Sequence, residues 1–292
     1  MNIENKYTLK QIYLDGKKKL LENNIEDYQY EIQVLIEFVF GYDKNYLLVN
    51  PLKEIELNLA QKLFNLIEQR IKGVPLQYLV GKWSFGELDF YVGQGVLIPR
   101  DDTQVVINHC VEKIEKHNLT KPKNILDLCS GSGIIAITLS KKYKDANVYA
   151  VELSSKAFEY LNKNIEYNNA VNVKSKKLDV LKDSDKIANI SKYDVIISNP
   201  PYIITDEIQT LQKEVLYEPI MALDGGEDGY IFYREIIKKY SYMLNKNGVI
   251  AFELGEGQYD YVFNLLQEKG FKDIDYMYDF GNCKRSICAV KD

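Results

Sequence analysis

Between residues 124 and 139 an apolar run gives way to a glycine-rich turn and then to a helical pattern, and few folds meet those demands in that order. Asn124-Ile125-Leu126-Asp127-Leu128 reads as a buried strand. Cys129-Ser130-Gly131-Ser132-Gly133 follows, and Ile134, Ile135, Ile137, Thr138 and Leu139 continue with helical spacing. Such a turn lets a ligand approach the backbone closely and offers free N–H groups at a helix N-terminus. Nineteen residues past Gly133, the run Val148-Tyr149-Ala150-Val151 ends in Glu152, a carboxylate suited to accept hydrogen bonds from both hydroxyls of a ribose. Beyond residue 101 strands and helices alternate, with strands centred near Leu126, Tyr149, Val173, Ile196, Ile250, Tyr276 and Ile287. That alternation predicts an α/β domain with a mainly parallel sheet and helices on both faces. No clear helix separates the last two strands, which predicts an antiparallel hairpin at the sheet edge.

The glycine turn leaves its ligand open. Gly131-x-Gly133-x-x-Ala136 with Glu152 downstream fits a nicotinamide dinucleotide as well as S-adenosylmethionine. Asn199-Pro200-Pro201-Tyr202, directly after the apolar run Tyr193 to Ser198, decides between them. An ordinary turn ending a buried strand is the bland reading, since Asn and Pro are common there. The chemical reading is a clamp for a planar NH2 group. Such a nitrogen has a delocalised lone pair and is barely acidic, so a base cannot simply activate it. The Asn199 side-chain carbonyl and the Pro200 main-chain carbonyl can each accept one of its hydrogens and fix the lone-pair direction. Two consecutive prolines stiffen the turn, and the Tyr202 ring offers a flat stacking face. A nicotinamide enzyme has no use for this clamp; a methyltransferase for planar nitrogen needs it.

Residues 1–73 carry helical stripes without strands. Leu9, Ile12, Tyr13, Leu20 and Leu21 follow Thr8 as an N-cap; Ile32, Leu35, Ile36 and Val39 precede Gly41 as a stop. Leu57, Leu59, Leu63, Leu66, Ile67 and Ile71 follow Asn50-Pro51 and end before Gly73 and Pro75. These stripes predict a small helical bundle. Residues 74–100 read as a linker whose stretch 83–98 forms a β-hairpin, and 101–292 as the catalytic domain.

The 292 residues suggest one large or two ordinary domains, enough for a substantial core. No run is long enough to span a membrane, and the polar N-terminus does not read as a signal peptide, which together predict a cytoplasmic chain. Cys110, Cys129, Cys283 and Cys288 form no CxxC pair and predict no disulfide framework. Cys129 is expected to serve as a small residue of the turn. His109 and His117 are the only histidines, both expected on a surface helix, so neither histidine catalysis nor a metal site is predicted. The net charge of −5 argues against a non-specific nucleic-acid binder. Of the four arginines, Arg100 and Arg285 are expected in ion pairs and Arg70 on a solvated helix face.

With these motifs in view, the chain resembles the release-factor N5-glutamine methyltransferases over nearly its whole length. The resemblance rests on Gly73-Val74-Pro75-Leu76-Gln77-Tyr78-Leu79 with Gly81, Gly95-Val96-Leu97-Ile98-Pro99-Arg100, and Asp127 through Gly133. It rests also on Asn199 through Tyr202, Glu218-Pro219, and Ala222-Leu223-Asp224-Gly225-Gly226-Glu227-Asp228-Gly229. It implies a class I S-adenosylmethionine-dependent methyltransferase fold with seven strands and an N-terminal helical domain that recognises substrate. It implies S-adenosylmethionine held by Cys129, Ser130, Gly131, Ser132, Gly133, Glu152, Asp179, Val180 and Asn199. It further implies catalysis by Asn199, Pro200 and Tyr202, with Pro201, Glu218 and Pro219 also against the substrate, a peptide chain release factor. Nothing in the sequence demands more than a monomer. The chain departs from the family pattern at Arg100-Asp101-Asp102-Thr103-Gln104, where Arg-Pro-Asp-Thr-Glu is common, at Glu152 for Asp, and at Val180, where some members carry an aromatic. The alternatives are methylation of a ribosomal-protein glutamine or of adenine in nucleic acid, and a non-enzymatic binder of a translation factor. Because no clamp residue titrates near neutrality, the sequence predicts a shallow rate–pH profile.

Overall fold

The computed structural model describes residues 7–117, 119 and 121–292, and the chain divides into two compact units. The first comprises Met1–Gly81 together with Lys213–Tyr217, and the second Lys82–Gln212 with Glu218–Asp292. Residues 82–100 thus group with the second unit instead of forming a separate linker.

In the first unit β1 (Tyr7–Thr8) leads into α1 (Leu9–Glu22), followed by α2 (Tyr28–Phe40), α3 (Lys44–Val49), β2 (Glu54–Ile55), α4 (Leu57–Ile71) and α5 (Leu76–Val80). Thr8 caps α1 in a reciprocal arrangement with Gln11, and Gly41 ends α2 in the left-handed region. The helical stripes bury Leu9, Ile12, Leu20, Ile32, Leu35, Leu63 and Ile67 against one another. The expectation of a unit without strands fails in one place: β1 and β2 pair antiparallel, Tyr7 opposite Ile55. Two residues carry no readable alternation, so no sequence pattern announces them.

Arg70 also departs from expectation. Its side chain is 4% exposed, with Nε donating to Glu31 Oε2 at 2.6 Å, one Nη donating to Glu31 Oε1 at 2.9 Å, and the same Nη reaching Glu214. Glu31 is buried as well, so this is a desolvated bidentate pair on which Glu214 adds a half-exposed third member.

The second unit begins with the hairpin β3 (Lys82–Phe85) and β4 (Leu88–Tyr91), then α6 (Asp102–Lys116), β5 (Asn124–Leu128), α7 (Ile134–Lys142), β6 (Asn147–Glu152), α8 (Ser155–Tyr167) and β7 (Val173–Lys177). It continues through α9 (Ser184–Ala188), β8 (Tyr193–Ser198), α10 (Ile231–Tyr240), β9 (Leu244–Glu253), α11 (Tyr259–Glu268), β10 (Phe271–Tyr278) and β11 (Lys284–Lys291). Seven strands form one sheet in the order β10-β11-β9-β8-β5-β6-β7. The five from β9 to β7 are parallel, and β11 runs antiparallel to both neighbours, closing the sheet with the expected edge hairpin.

Both faces of the sheet are covered. Ile125, Val148, Ala150, Val195, Ile197 and Val249 pack on the side of α6, α7 and α8; Leu126, Tyr149, Val151, Ile196, Ile250 and Phe252 pack on the side of α10 and α11. Consecutive residues alternate between two apolar environments, so these strands read as unbroken apolar runs. His109 is not on a surface: it is 3% exposed, with Nδ1 2.9 Å from Ser286 Oγ and Nε2 2.8 Å from Asp275. Burial holds its imidazole below the usual range.

Removing one member of a buried ion pair strands the other. Glu31→Ala is expected to destabilise the first unit by about 3 kcal/mol, the low end of that range because Glu214 still faces Arg70. Glu214→Ala, at a half-exposed site, should cost under about 1 kcal/mol. Thermal unfolding of the two variants checks the order; equal losses would refute it.

Candidate active site

The chain leaves β5 toward one side of the sheet and β8 toward the other, so their adjacent carboxyl ends open a crevice between diverging connections. A cleft of about 180 Å³ lies there. The glycine turn, the end of β6 and the clamp all reach it: Cys129, Gly131, Glu152, Asn199 and Pro201 line the cleft, as do Asp179, Val180 and Pro219. Ser130 and Ser132 line a smaller adjoining hollow shared with Gly131, Asn199, Arg100 and Thr103.

Glu152 ends β6 with its carboxylate already part of the turn. One oxygen accepts the Gly131 N–H at 2.8 Å and the other the Ser154 N–H at 2.7 Å. A carboxylate has about four lone-pair positions, so two remain for a ligand. Burial raises its pKa, and the backbone N–H groups work against that rise. Gly131 has φ 54°, and a Cβ built on it meets nothing within 4 Å. A side chain there would stand in the cleft, so the glycine keeps room for a ligand lying against the backbone. Gly133 caps α7 in the left-handed region, packed toward Leu161 and Ile137.

Asp127, one step behind the turn, is fully buried, and burial pushes its carboxyl up to about 8. Its Oδ2 accepts the Ala136 N–H at 3.2 Å, while Oδ1 has no hydrogen-bond partner among the described residues. A carboxyl raised that far is largely protonated at neutral pH, which lowers the cost of burying it behind the turn. The Cys129 thiol is pushed up by burial and by Glu152 and Asp127, which keeps it protonated and suits a small turn residue. Asp179 Oδ1 accepts the Leu181 N–H at 2.8 Å, and the Val180 carbonyl accepts the Tyr240 hydroxyl at 2.8 Å, so that wall is held by hydrogen bonds.

An apolar cleft, a carboxylate at its edge with lone pairs to spare and a bare glycine backbone together fit S-adenosylmethionine. Val180 and Leu181 supply an aliphatic part of the cleft wall, and Phe232 contributes an aromatic ring to it.

The clamp follows β8 directly. Asn199 Nδ2 donates to Thr103 Oγ1 at 3.3 Å, and Ser198 Oγ anchors the strand end by donating to the Leu128 carbonyl at 2.6 Å. Pro200 and Pro201 are buried. The Tyr202 hydroxyl lies 3.4 Å from Glu253 Oε1, and its carbonyl accepts from Gln258 Nε2 at 3.0 Å. Burial pushes the Tyr202 phenol up. Glu218 is buried, its carboxylate accepting the Ile98 N–H at 2.9 Å and pairing with Arg100. That pair ties down the strip Gly95-Val96-Leu97 along one wall of the cleft, so the Glu218 carboxylate is spent on scaffold while its neighbour Pro219 reaches the cleft.

Two residues of this region have no counterpart in the sequence reading. Glu253, 1% exposed, accepts from Thr103 Oγ1 at 2.7 Å, and burial pushes its carboxyl up to about 7. A charged residue closing the apolar run Val249 to Phe252 was the available signal, as unusual in kind as Glu152 after Val148 to Val151. Its contacts with Thr103 and the Tyr202 hydroxyl set a titratable group against the clamp, where the sequence reading had none.

Two family models match the chain: the PrmC N-terminal domain over residues 11–81 and the methyltransferase small domain over residues 103–251. A release factor glutamine methyltransferase from Clostridium acetobutylicum is 37% identical across 97% of this chain and 98% of its own. One from Thermodesulfovibrio yellowstonii is 38% identical over 89% of this chain and 92% of its own. Among solved structures, the hMettl16 catalytic domain in complex with the MAT2A 3'UTR hairpin 6 shares the fold with a TM-score of 0.55 at 17% identity, covering 80% of this chain and 86% of that one. Similarity that runs nearly end to end, through the helical unit and the sheet alike, settles the relationship: the chain belongs to the release factor glutamine methyltransferase family.

Proposed function

We propose that the chain transfers a methyl group from S-adenosylmethionine to the side-chain amide nitrogen (N5) of the glutamine in the Gly-Gly-Gln motif of peptide chain release factors, supporting translation termination. The observation that carries this reading is the position of Asn199-Pro200-Pro201-Tyr202 at the carboxyl end of β8, with Asn199 and Pro201 lining the same cleft as Gly131 and Glu152.

When bound, S-adenosylmethionine supplies a methyl group on a sulfonium centre, an electrophile that asks only for a well-aimed nucleophile. Glu152 would take the ribose hydroxyls, the turn from Cys129 to Gly133 the amino-acid end, and Asp179 with Val180 the base. Asn199 Oδ1 and the Pro200 carbonyl hold the two N–H hydrogens of the glutamine amide, and the Tyr202 ring limits its plane. Positioning of this kind is worth roughly 7–11 kcal/mol, so most of the acceleration needs no proton transfer before the methyl moves. The surplus proton leaves afterwards, once the nitrogen is acidic.

The helical unit is the proposed grip on the release factor. Leu48, Val49 and Leu52 stand 70–78% exposed on it, an apolar display that supports a protein-binding role. A translation factor as substrate supports a cytoplasmic site of action.

Incubation with S-adenosylmethionine and a release factor, followed by peptide mass spectrometry, tests the reading. One added methyl on the Gly-Gly-Gln glutamine is expected; methyl appearing only on ribosomal protein or nucleic acid would redirect it. Asn199→Ala should lower kcat roughly 10²–10³-fold while leaving cofactor affinity intact. Glu152→Ala should do the reverse, weakening S-adenosylmethionine binding by calorimetry while transfer persists at saturation. An Asn199→Ala protein that lost the cofactor and kept its turnover would break this division of labour.

A further inference from the structure

We infer that Thr103 and Glu253 are positioning residues for Asn199, forming a relay of two hydrogen bonds that holds the Asn199 amide in the one orientation that turns its oxygen toward the methyl acceptor. The inference rests on the clamp reading of Asn199 and deepens it.

A side-chain amide is nearly symmetric in shape. Turning it over exchanges oxygen and NH2 at little steric cost, yet the chemical consequence is complete: a flipped Asn199 would face an incoming NH2 group with another NH2 group. The site therefore needs something that distinguishes the two edges. Thr103 Oγ1 carries one hydrogen and two lone pairs. It stands 2.7 Å from Glu253 Oε2 and 3.3 Å from Asn199 Nδ2. An ionised Glu253 can only accept, so the single hydroxyl hydrogen goes to it. Only lone pairs then remain for Asn199, and lone pairs select its Nδ2 edge. Asn199 Oδ1 is left for the acceptor amide. Thr103 is fully buried, so no bulk water competes for the hydroxyl.

The other carboxylate oxygen of Glu253 lies 3.4 Å from the Tyr202 hydroxyl. One buried carboxylate thus serves both side chains of the clamp, Asn199 through Thr103 and Tyr202 directly. The groups facing it are the Tyr202 phenol, the Arg285 guanidinium and the Asp102 carboxylate, while the Tyr233 hydroxyl donates to its main-chain carbonyl at 2.8 Å. Arg285 is engaged by Asp279 at 2.9 Å and lies 3.4 Å from Asp102, so its charge is shared and it leaves Glu253 only partly compensated.

The relay has a direction only while Glu253 is ionised. A protonated carboxyl can itself donate to Thr103 Oγ1, which releases the hydroxyl hydrogen and removes the preference for Nδ2. Burial has brought the carboxyl up to about 7, so this happens as the pH falls through neutrality. The sign follows: kcat is retained above that value and falls on the acid side.

Wild type, T103S, T103V and E253Q provide the test, with steady-state methyl transfer to a release factor across pH and calorimetry of S-adenosylmethionine. T103V should lose roughly 10–100-fold in kcat, as for one misplaced polar contact, with KM and cofactor affinity largely unchanged. T103S keeps the hydroxyl and should recover most of the rate. Wild type should show an acid limb near pH 7 that E253Q lacks. A T103V as fast as wild type, a T103S as slow as T103V, or an acid limb surviving in E253Q would each overturn the relay. A substrate-free readout separates its failure from failure of the substrate reading. In protein labelled with ¹⁵N-asparagine, the Asn199 side-chain amide, assigned by its absence from Asn199→Ala, should titrate near pH 7 in wild type. It should not do so in T103V or E253Q. An amide indifferent to pH in wild type refutes the relay whatever substrate the enzyme methylates.

Discussion

The parallel pairing of β5 with β8 is the contact on which the site depends. The two strands are separated in sequence by two complete strand–helix passages, yet Leu128 lies opposite Ser198, and the Ser198 hydroxyl donates to the Leu128 carbonyl at 2.6 Å. The next residue on one strand is Cys129, opening the glycine turn; on the other it is Asn199, opening the clamp. Register therefore sets the separation of the two binding half-sites directly. A slip by one residue would turn Ile125, Leu126 and Leu128 to opposite faces of the sheet, exchanging the packing against α7 for that against α10. With apolar side chains filling both faces, that slip is strongly disfavoured, and packing far from the cleft specifies its geometry.

Around this pairing the chain buries several carboxyl groups, and each meets the cost of desolvation differently. Glu218 takes an arginine and a backbone N–H, Glu152 takes two backbone N–H groups, and Asp127 takes one N–H while keeping an oxygen unpartnered among the described residues. Glu253 takes a hydroxyl and the distant, shared charge of Arg285. The gradation matches location. Glu218, fully paired, stabilises the scaffold strip 95–100, whereas Glu152, with lone pairs to spare, lines the cleft itself.

Much of this was legible in the chain because local chemistry dictated it. Strands buried on two faces announce themselves as apolar runs, Thr8 and Gly41 mark helix ends through their own side chain or φ, and both ligand motifs are contiguous. What escaped is non-local. The strand order is set by crossovers that no local pattern encodes. Arg70 lies on an amphipathic helix, and only its distance in space from Glu31 and Glu214, not its spacing, distinguishes it from a solvated arginine. His109 was misread for the same reason, since its partners Ser286 and Asp275 arrive from the last two strands. Thr103 and Glu253 stand 150 residues apart, and neither carries its meaning alone.

The run from Ala222 to Gly229 shows how a recognisable motif can serve another motif. Its backbone lies beside the clamp: Ile203 N–H donates to the Leu223 carbonyl at 2.9 Å, and Gly225 N–H donates to the Ile203 carbonyl at 2.8 Å. A Cβ on Gly225 would come within 2.7 Å of Tyr202 Cα and 2.8 Å of its carbonyl carbon, atoms that cannot yield as a flexible side-chain tip can. Glycine at 225 is therefore what lets this segment touch the clamp backbone. Asp224 holds the local turn by accepting from Thr205 Oγ1 at 2.7 Å and from the Gly226 N–H at 2.9 Å. A reaction whose rate depends chiefly on aim has little tolerance for a loose turn, and displacements of about 0.5 Å matter at such sites. Two prolines stiffen the clamp from within, and a hydrogen-bonded segment braces it from outside. Asp224 and Gly225 thus support Tyr202, while Asp228 of the same run pairs with Arg234 at 2.6 Å.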